Sequence, residues 1–83
     1  MKVTIKYFAA IREAIGQGIE VRETLAVNLS ALRDELLAAS PAHADSLARG
    51  RSVRMALNQV MSDESATLTE GCEVAFFPPV TGG

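Results

Sequence analysis

Val3, Ile5 and Tyr7 alternate with Thr4, Lys6 and Phe8, a period of two that predicts a strand at the start of the chain. Residues 9–15 change to helical character, with Arg12 and Glu13 outward and Gly16 placed to cap the end. Ile19 and Val21 then alternate with Glu20 and Arg22, a second strand. Asn28 is an N-cap for a longer helix, in which Leu29, Leu32, Leu36 and Leu37 form one apolar stripe that must pack on a sheet. Ser40-Pro41 ends that helix, because proline disfavours helical geometry in the residue before it. The same pair opens a further helical piece with Pro41 at its first position and Gly50 closing it. Short strands follow: residues 53–57, a turn at Asn58-Gln59, and Val60-Met61 pairing back. Residues 62–65 read as a polar turn, Leu68 as an isolated apolar anchor, Glu70-Gly71 as a turn, and residues 73–77 as the last strand. Strands gathered around one main helix predict an α+β domain, a mixed sheet covered on one face. The unbroken apolar run Val74, Ala75, Phe76, Phe77 predicts a central strand with both faces covered, by the domain or by a partner.

After that strand the chain reads Pro78-Pro79-Val80-Thr81-Gly82-Gly83. Neither proline has an N–H to give to a sheet, so the domain spans residues 1–77 and residues 78–83 form an extended tail. Both prolines also hold φ near the polyproline value and stiffen the exit. Fully extended, the tail reaches about 20 Å, enough to enter a cleft on another protein. Val80 is its one large apolar contact, and Thr81 is small enough to follow the glycines into a narrow channel. The carboxylate of Gly83 is then expected to stand on a thin, unhindered stalk and to be the reactive group of the chain. A carboxylate is a poor electrophile and must be activated, most simply as an acyl-adenylate by an ATP-using partner. The activated carbon can accept sulfur or an amine. The competing reading is an idle chain end, since termini are commonly unordered.

Composition narrows the choice of class. Eighty-three residues are too few to enclose both a core and a deep catalytic cleft. The chain is 48% hydrophobic and 22% charged, which places it among globular rather than disordered sequences. Net charge is -2 and the lysines are Lys2 and Lys6 alone, so no basic block exists to track a phosphate backbone, and nucleic acid is not an expected partner. The apolar stretches are too short to span a membrane or to serve as a signal peptide. The single cysteine, Cys72, cannot make an internal disulfide, and a reducing cytoplasm is the expected compartment. It is a sulfur relay or a small apolar residue at a strand start, and with no companion thiol the second is the expectation. His43 has no second ligand at metal-site spacing, Asp63-Glu64 sits in a Ser-rich turn, and Ser30 and Ser62 lack triad context. Arg49, Arg51 and Arg54 read as a solvated edge that discourages strand pairing, or as a dock for an acidic partner. Met55 and Met61 read as core or interface filler.

Residues 68–83, Leu-Thr-Glu-Gly-Cys-Glu-Val-Ala-Phe-Phe-Pro-Pro-Val-Thr-Gly-Gly, resemble the end of the small, sulfur-carrying subunit of molybdopterin synthase. The opening Tyr7-Phe8-Ala9-Ala10-Ile11-Arg12-Glu13 with Gly16, and Ala56-Leu57-Asn58-Gln59, are similar to the same family. Cys72 departs from it, standing where an acidic residue is expected. The resemblance implies a ubiquitin-like β-grasp fold and a Gly83 that is adenylated by an E1-like, ATP-dependent enzyme and converted to a thiocarboxylate. It implies that the tail enters the large synthase subunit, in a two-plus-two assembly, and gives sulfur to a cyclic pterin precursor to form the dithiolene. Catalytic side chains would then lie on the large subunit, and this chain would bind no metal or cofactor of its own. Phe77, Pro78, Pro79, Val80, Thr81, Gly82, Phe8 and Arg12 are the expected partner contacts. Three alternatives stay open: a carrier for thiamine, tungsten cofactor, tRNA or cysteine synthesis, a ubiquitin-like modifier of lysines, and a plain interaction module.

Overall fold

Two strands that are far apart in sequence, β1 (Lys2–Tyr7) and β5 (Glu73–Phe77), run parallel at the middle of the sheet. Around them are α1 (Ala9–Ile15), β2 (Ile19–Glu23), α2 (Leu29–Leu37), α3 (Pro41–Leu47), β3 (Arg54–Leu57) and β4 (Val60–Ser62). The computed structural model describes residues 1–79. Strand order is β2-β1-β5-β3-β4, and every pair except β1·β5 is antiparallel. The sheet is therefore mixed and β5 is central. With α2 across one face this is the β-grasp arrangement.

The core lies between the sheet and α2, with α3 beside it. Register places Ile5 opposite Val74 and Tyr7 opposite Phe76, and all four side chains are buried against Leu29, Leu32 and Leu36 of α2 and Leu47 of α3. The Tyr7 and Phe76 rings stack at 6.2 Å between centroids. Local chemistry sets the element ends. Asn28 Oδ1 accepts from the Ala31 amide at 2.8 Å, and Ser40 Oγ accepts from the His43 amide at 3.1 Å with Pro41 in the first turn. Gly16 ends α1 at φ 90, in the left-handed region that glycine enters without penalty. Leu68 is buried as the anchor between β4 and β5.

Some expectations are corrected. The third helix ends at Leu47, not at Gly50, and Arg33 explains how. Arg33 is 4% exposed; its Nε donates to the Leu47 carbonyl at 2.7 Å and Nη2 to the Ala48 carbonyl at 3.0 Å. These are carbonyls that a helix end leaves unpaired. The three arginines do not form an edge. Arg49 pairs with Asp34 and Glu64, Arg51 pairs with Asp45, and Arg54 lies on β3, which is flanked by β4 and β5. Cys72 is 3% exposed within the core, so it is the small apolar residue and not a relay.

β2 carries a polar seam. Its register opposes Glu20 to Ile5 and Arg22 to Val3, so the charged side chains face the helices. Tyr7 Oη donates to Glu20 Oε1 at 2.9 Å, and Arg22 Nη1 donates to Glu20 Oε2 at 3.0 Å. Arg22 Nε and Thr24 Oγ1 both donate to Glu35 of α2. His43 Nε2 stands 3.4 Å from Glu20 Oε1, while its Nδ1 shares a hydrogen bond with Ser40 Oγ at 2.7 Å. Burial pushes the Tyr7 phenol well above its ordinary value, and the Glu20 carboxylate adds to that. Burial also acts to raise Glu20 and Glu35, but the donors around each outweigh it, and both carboxyls lie below the usual glutamate value. A carboxyl depressed in the folded state stabilises above its unfolded value, and that stability is lost as pH falls through the folded one. Urea midpoints are therefore expected to hold down to about pH 5 and to fall steadily toward about pH 3. In Glu20→Gln and Glu35→Gln the decline should be shallower; a pH slope unchanged from the parent in both would remove the seam from the account.

Candidate functional site: the open sheet face and the root of the tail

Alternation along β5 sends Val74 and Phe76 into the core and leaves Glu73, Ala75 and Phe77 on the other face. Lys6 of β1 lies on that face, opposite Ala75. Lys6, Phe8, Ala9, Gln59, Glu73, Ala75, Phe77, Pro78 and Pro79 together line an open trough of about 750 Å³. Its walls are the rings of Phe8 and Phe77, edge-to-face at 6.4 Å and 87°. Its floor carries an ion pair, Lys6 Nζ to Glu73 Oε1 at 3.2 Å.

The backbone presents these groups on purpose-shaped turns. The Phe8 amide donates to the Phe76 carbonyl at 3.1 Å, extending the parallel ladder one residue past β1. Ala9 then takes φ 51 and turns the chain into α1. Asn58 and Gln59 take φ 50 and 69, the paired left-handed geometry of a tight hairpin between β3 and β4. Left-handed geometry costs a residue with a Cβ about 1–2 kcal/mol. Among the described residues these are the non-glycine positions with positive φ, and Ala9 and Gln59 both border the trough.

Read across the strands, the registers align Ile19, Lys6, Ala75, Ala56 and Met61 in one row on the open face. Ile19 is 59% exposed, Val21 66% and Met61 57%. Nothing within the described residues covers this face, whereas the opposite one is filled by the helices. The exposed apolar side chains are therefore at the two edges of the row, Ile19 and Met61, with Lys6 and the buried Ala75 and Ala56 between them.

The structure brings Phe8, Phe77, Pro78 and Pro79 together in the trough, with Phe8 46% exposed. Arg12 is not in the trough. It lies on α1 beside Gly18, in an adjoining cleft that shares Lys6 and Phe8. Val80, Thr81, Gly82 and Gly83 lie outside the described residues. Lys6, Glu73, Ala75, Gln59, Ile19 and Val21 were not singled out from sequence as site residues; of the two methionines read as core or interface filler, Met55 is buried and Met61 lies exposed on this face. The signal for Lys6, Glu73 and Ala75 was present, since the period of two that buries Ile5, Tyr7, Val74 and Phe76 places them opposite. Among the described residues no group of three or more His, Cys, Asp or Glu is placed to hold a metal ion, and no helix is long and apolar enough to cross a membrane.

The Escherichia coli (strain K12) molybdopterin synthase sulfur carrier subunit is 37% identical over 81 residues, covering 98% of this chain and 99% of that one. The Mycobacterium tuberculosis subunit of the same name is 38% identical over 85 residues, at 100% and 99% coverage. Among solved structures, subunits 1 and 2 of molybdopterin-converting factor from Helicobacter pylori form a complex whose matching chain superposes with a TM-score of 0.72 at 25% identity, both chains covered in full. Small archaeal modifier protein 1 of Methanosarcina acetivorans shares the fold, with a TM-score of 0.79 at 22% identity over 99% of this chain and 96% of that one. The sequence model of the ThiS family matches residues 5–83, and with relatives this similar over their full length the chain belongs to the ThiS family.

Proposed function

We propose that this chain is the sulfur carrier of a molybdopterin synthase. The observation that carries the reading is the open trough flanked by Phe8 and Phe77 at Pro78 and Pro79, the start of the Pro-Pro-Val-Thr-Gly-Gly sequence. An ATP-dependent, E1-like partner transfers AMP to the Gly83 carboxylate and releases pyrophosphate. A sulfide-equivalent donor then displaces AMP and leaves a thiocarboxylate. The charged tail enters the large subunit, where the thiocarboxylate sulfur attacks the cyclic pterin precursor. Two such deliveries supply both sulfurs of the dithiolene, and hydrolysis returns the carboxylate. ATP belongs to the activating partner, and this chain holds no cofactor. The reaction runs in the cytoplasm, where reduced sulfur persists.

The sheet face supplies the affinity in this reading. Phe77 and Phe8 form a ridge next to the tail root, so docking there aligns the tail with the large subunit's cleft. Phe77→Asp places a charge in that ridge and should weaken association with the large subunit by at least about tenfold, the effect of losing one aromatic anchor. Arg12→Ala should change it far less. Isothermal titration against the large subunit checks both, and equal affinities for parent and Phe77→Asp would remove the face from the interface.

The test of function is co-purification from the native host followed by intact mass. Recovery with a large subunit, and a chain in which one oxygen is replaced by sulfur, is expected. Conjugate ladders on other proteins would instead show a lysine modifier. A thiocarboxylate recovered with enzymes of a different pathway would reassign the carrier.

A further inference from the structure

An activated acyl terminus reacts with any nearby amine, so a carrier of this kind must contend with its own amines. This chain has very few. Of its 8 Lys and Arg residues the lysines are Lys2 and Lys6, and guanidinium groups are not nucleophiles at working pH. The α-amino group of Met1 donates to the Thr24 carbonyl at 3.1 Å and pairs with Glu23 at 3.5 Å, at the end of the sheet away from the tail. Lys2 is at that same end, opposite Glu23.

Lys6 is placed differently. It lies opposite Ala75, four positions before Pro79, a span of about 13 Å at strand spacing. The four residues after Pro79 reach about 14 Å at full extension. Lys2 is four positions further along β1, about 26 Å from Pro79 on the same measure and out of range. Lys6 also lines the trough that Pro78 and Pro79 border, and there its Nζ is held 3.2 Å from Glu73 Oε1.

We propose that Lys6 is the internal acyl acceptor of this chain and that its ion pair with Glu73 withholds it from the activated C-terminus. This rests on the sulfur-carrier reading, in which Gly83 becomes an electrophile. A side chain tethered to a carboxylate on the trough floor is kept away from the tail. Once the tether is lost, the Lys6 side chain is free to swing to the tail, and its amine attacks the Gly83 acyl carbon. The carbon–nitrogen bond forms, and the bond to the leaving group breaks. AMP or a thiol departs with the electron pair, and the nitrogen sheds its second proton to solvent. No oxidation change occurs. The product is a cyclised chain joined by an amide between Lys6 and Gly83, and it can carry no sulfur.

The test uses the full chain bearing a Gly83 alkyl thioester, made by thiolysis of an intein fusion. Neither partner enzyme is needed, so failure here is distinct from failure of the carrier reading, which co-purification and intact mass decide. Intact mass and fragment spectra follow the monomer with time. Glu73→Gln should cyclise at least about fivefold faster than the parent, the factor expected for a partly exposed ion pair of about 1 kcal/mol. The cyclised monomer weighs one water less than the free acid and yields a linked Lys6–Gly83 peptide. Lys6→Arg in the same background should abolish it. Raising salt on the unsubstituted chain should also hasten cyclisation, because salt screens a partly exposed pair. Equal rates for parent and Glu73→Gln with no salt effect, acylation at Lys2 or Met1 instead, or linked dimers in place of cyclised monomer would each overturn the proposal.

Discussion

Deleting Gly83 is expected to abolish sulfur transfer while the domain melts as before. The reacting carbon would move back along the tail by one residue, about 3.5 Å. A misplacement of about 1 Å from near-attack geometry already costs about a hundredfold in rate, so the loss should exceed that. Appending one residue after Gly83 should be as harmful, because the activated carbon then belongs to a different residue and no longer meets the large subunit's catalytic groups. Stability should not follow. β5 ends at Phe77, and the core residues Ile5, Tyr7, Val74 and Phe76 all precede the tail. A surface change of this kind is worth within about 0.5 kcal/mol. Complementation of cofactor synthesis, with a thermal melt of the same protein, makes the measurement. Normal synthesis by the truncated chain would refute the carrier mechanism, and loss through unfolding would make the terminus structural.

The second large effect separates two adjacent, identical side chains. Phe76→Ala should cost about 3–5 kcal/mol, the usual penalty for emptying an aromatic site in a core. Phe76 is 0% exposed, stacked on Tyr7, and lies on the central strand. A domain of this length holds about 4–12 kcal/mol in total, so much of the population would be unfolded or close to it. Phe77→Ala should cost under about 1 kcal/mol, because that ring stands on the open face against Phe8 alone among the aromatic side chains. Urea titration of both variants decides it. Similar losses from the two would mean that the open face is part of the folding core.

The last strand shows how far the residues can be read without a fold. Four apolar residues in a row, stopped by two prolines, announce a central strand and its end, and β5 is central and ends at Phe77. The pattern also requires that one phenylalanine point away from the helices, but it does not say which. The parallel register with β1 decides it, by opposing Phe76 to buried Tyr7. β2 is the sharper case. Ile19 and Val21 alternate with Glu20 and Arg22, and the pattern alone favours burying the apolar pair. The structure does the reverse, leaving Ile19 and Val21 outward and turning Glu20 and Arg22 toward α2 and α3. The reversal is affordable because Tyr7, Thr24, Glu35 and His43 lie around these charges, from elements that are separate in sequence. Arg33 is similar: on a helix it reads as solvated, and it becomes buried because α3 ends with two carbonyls beside it.

What the residues determine alone are properties that depend on near neighbours: the strand and helix periods, the caps at Asn28, Ser40 and Gly16, and the stop at Pro78. These follow from sterics and hydrogen bonding over a few positions. What needed the tertiary structure is everything set by register between distant strands. That includes the outward face of β2, the trough that Phe8 and Phe77 share with Pro78 and Pro79, and the meeting of Lys6 with Glu73. A slip of one residue would exchange every inward side chain for an outward one, and packing against the helices, with the tight turn at Asn58-Gln59, prevents it.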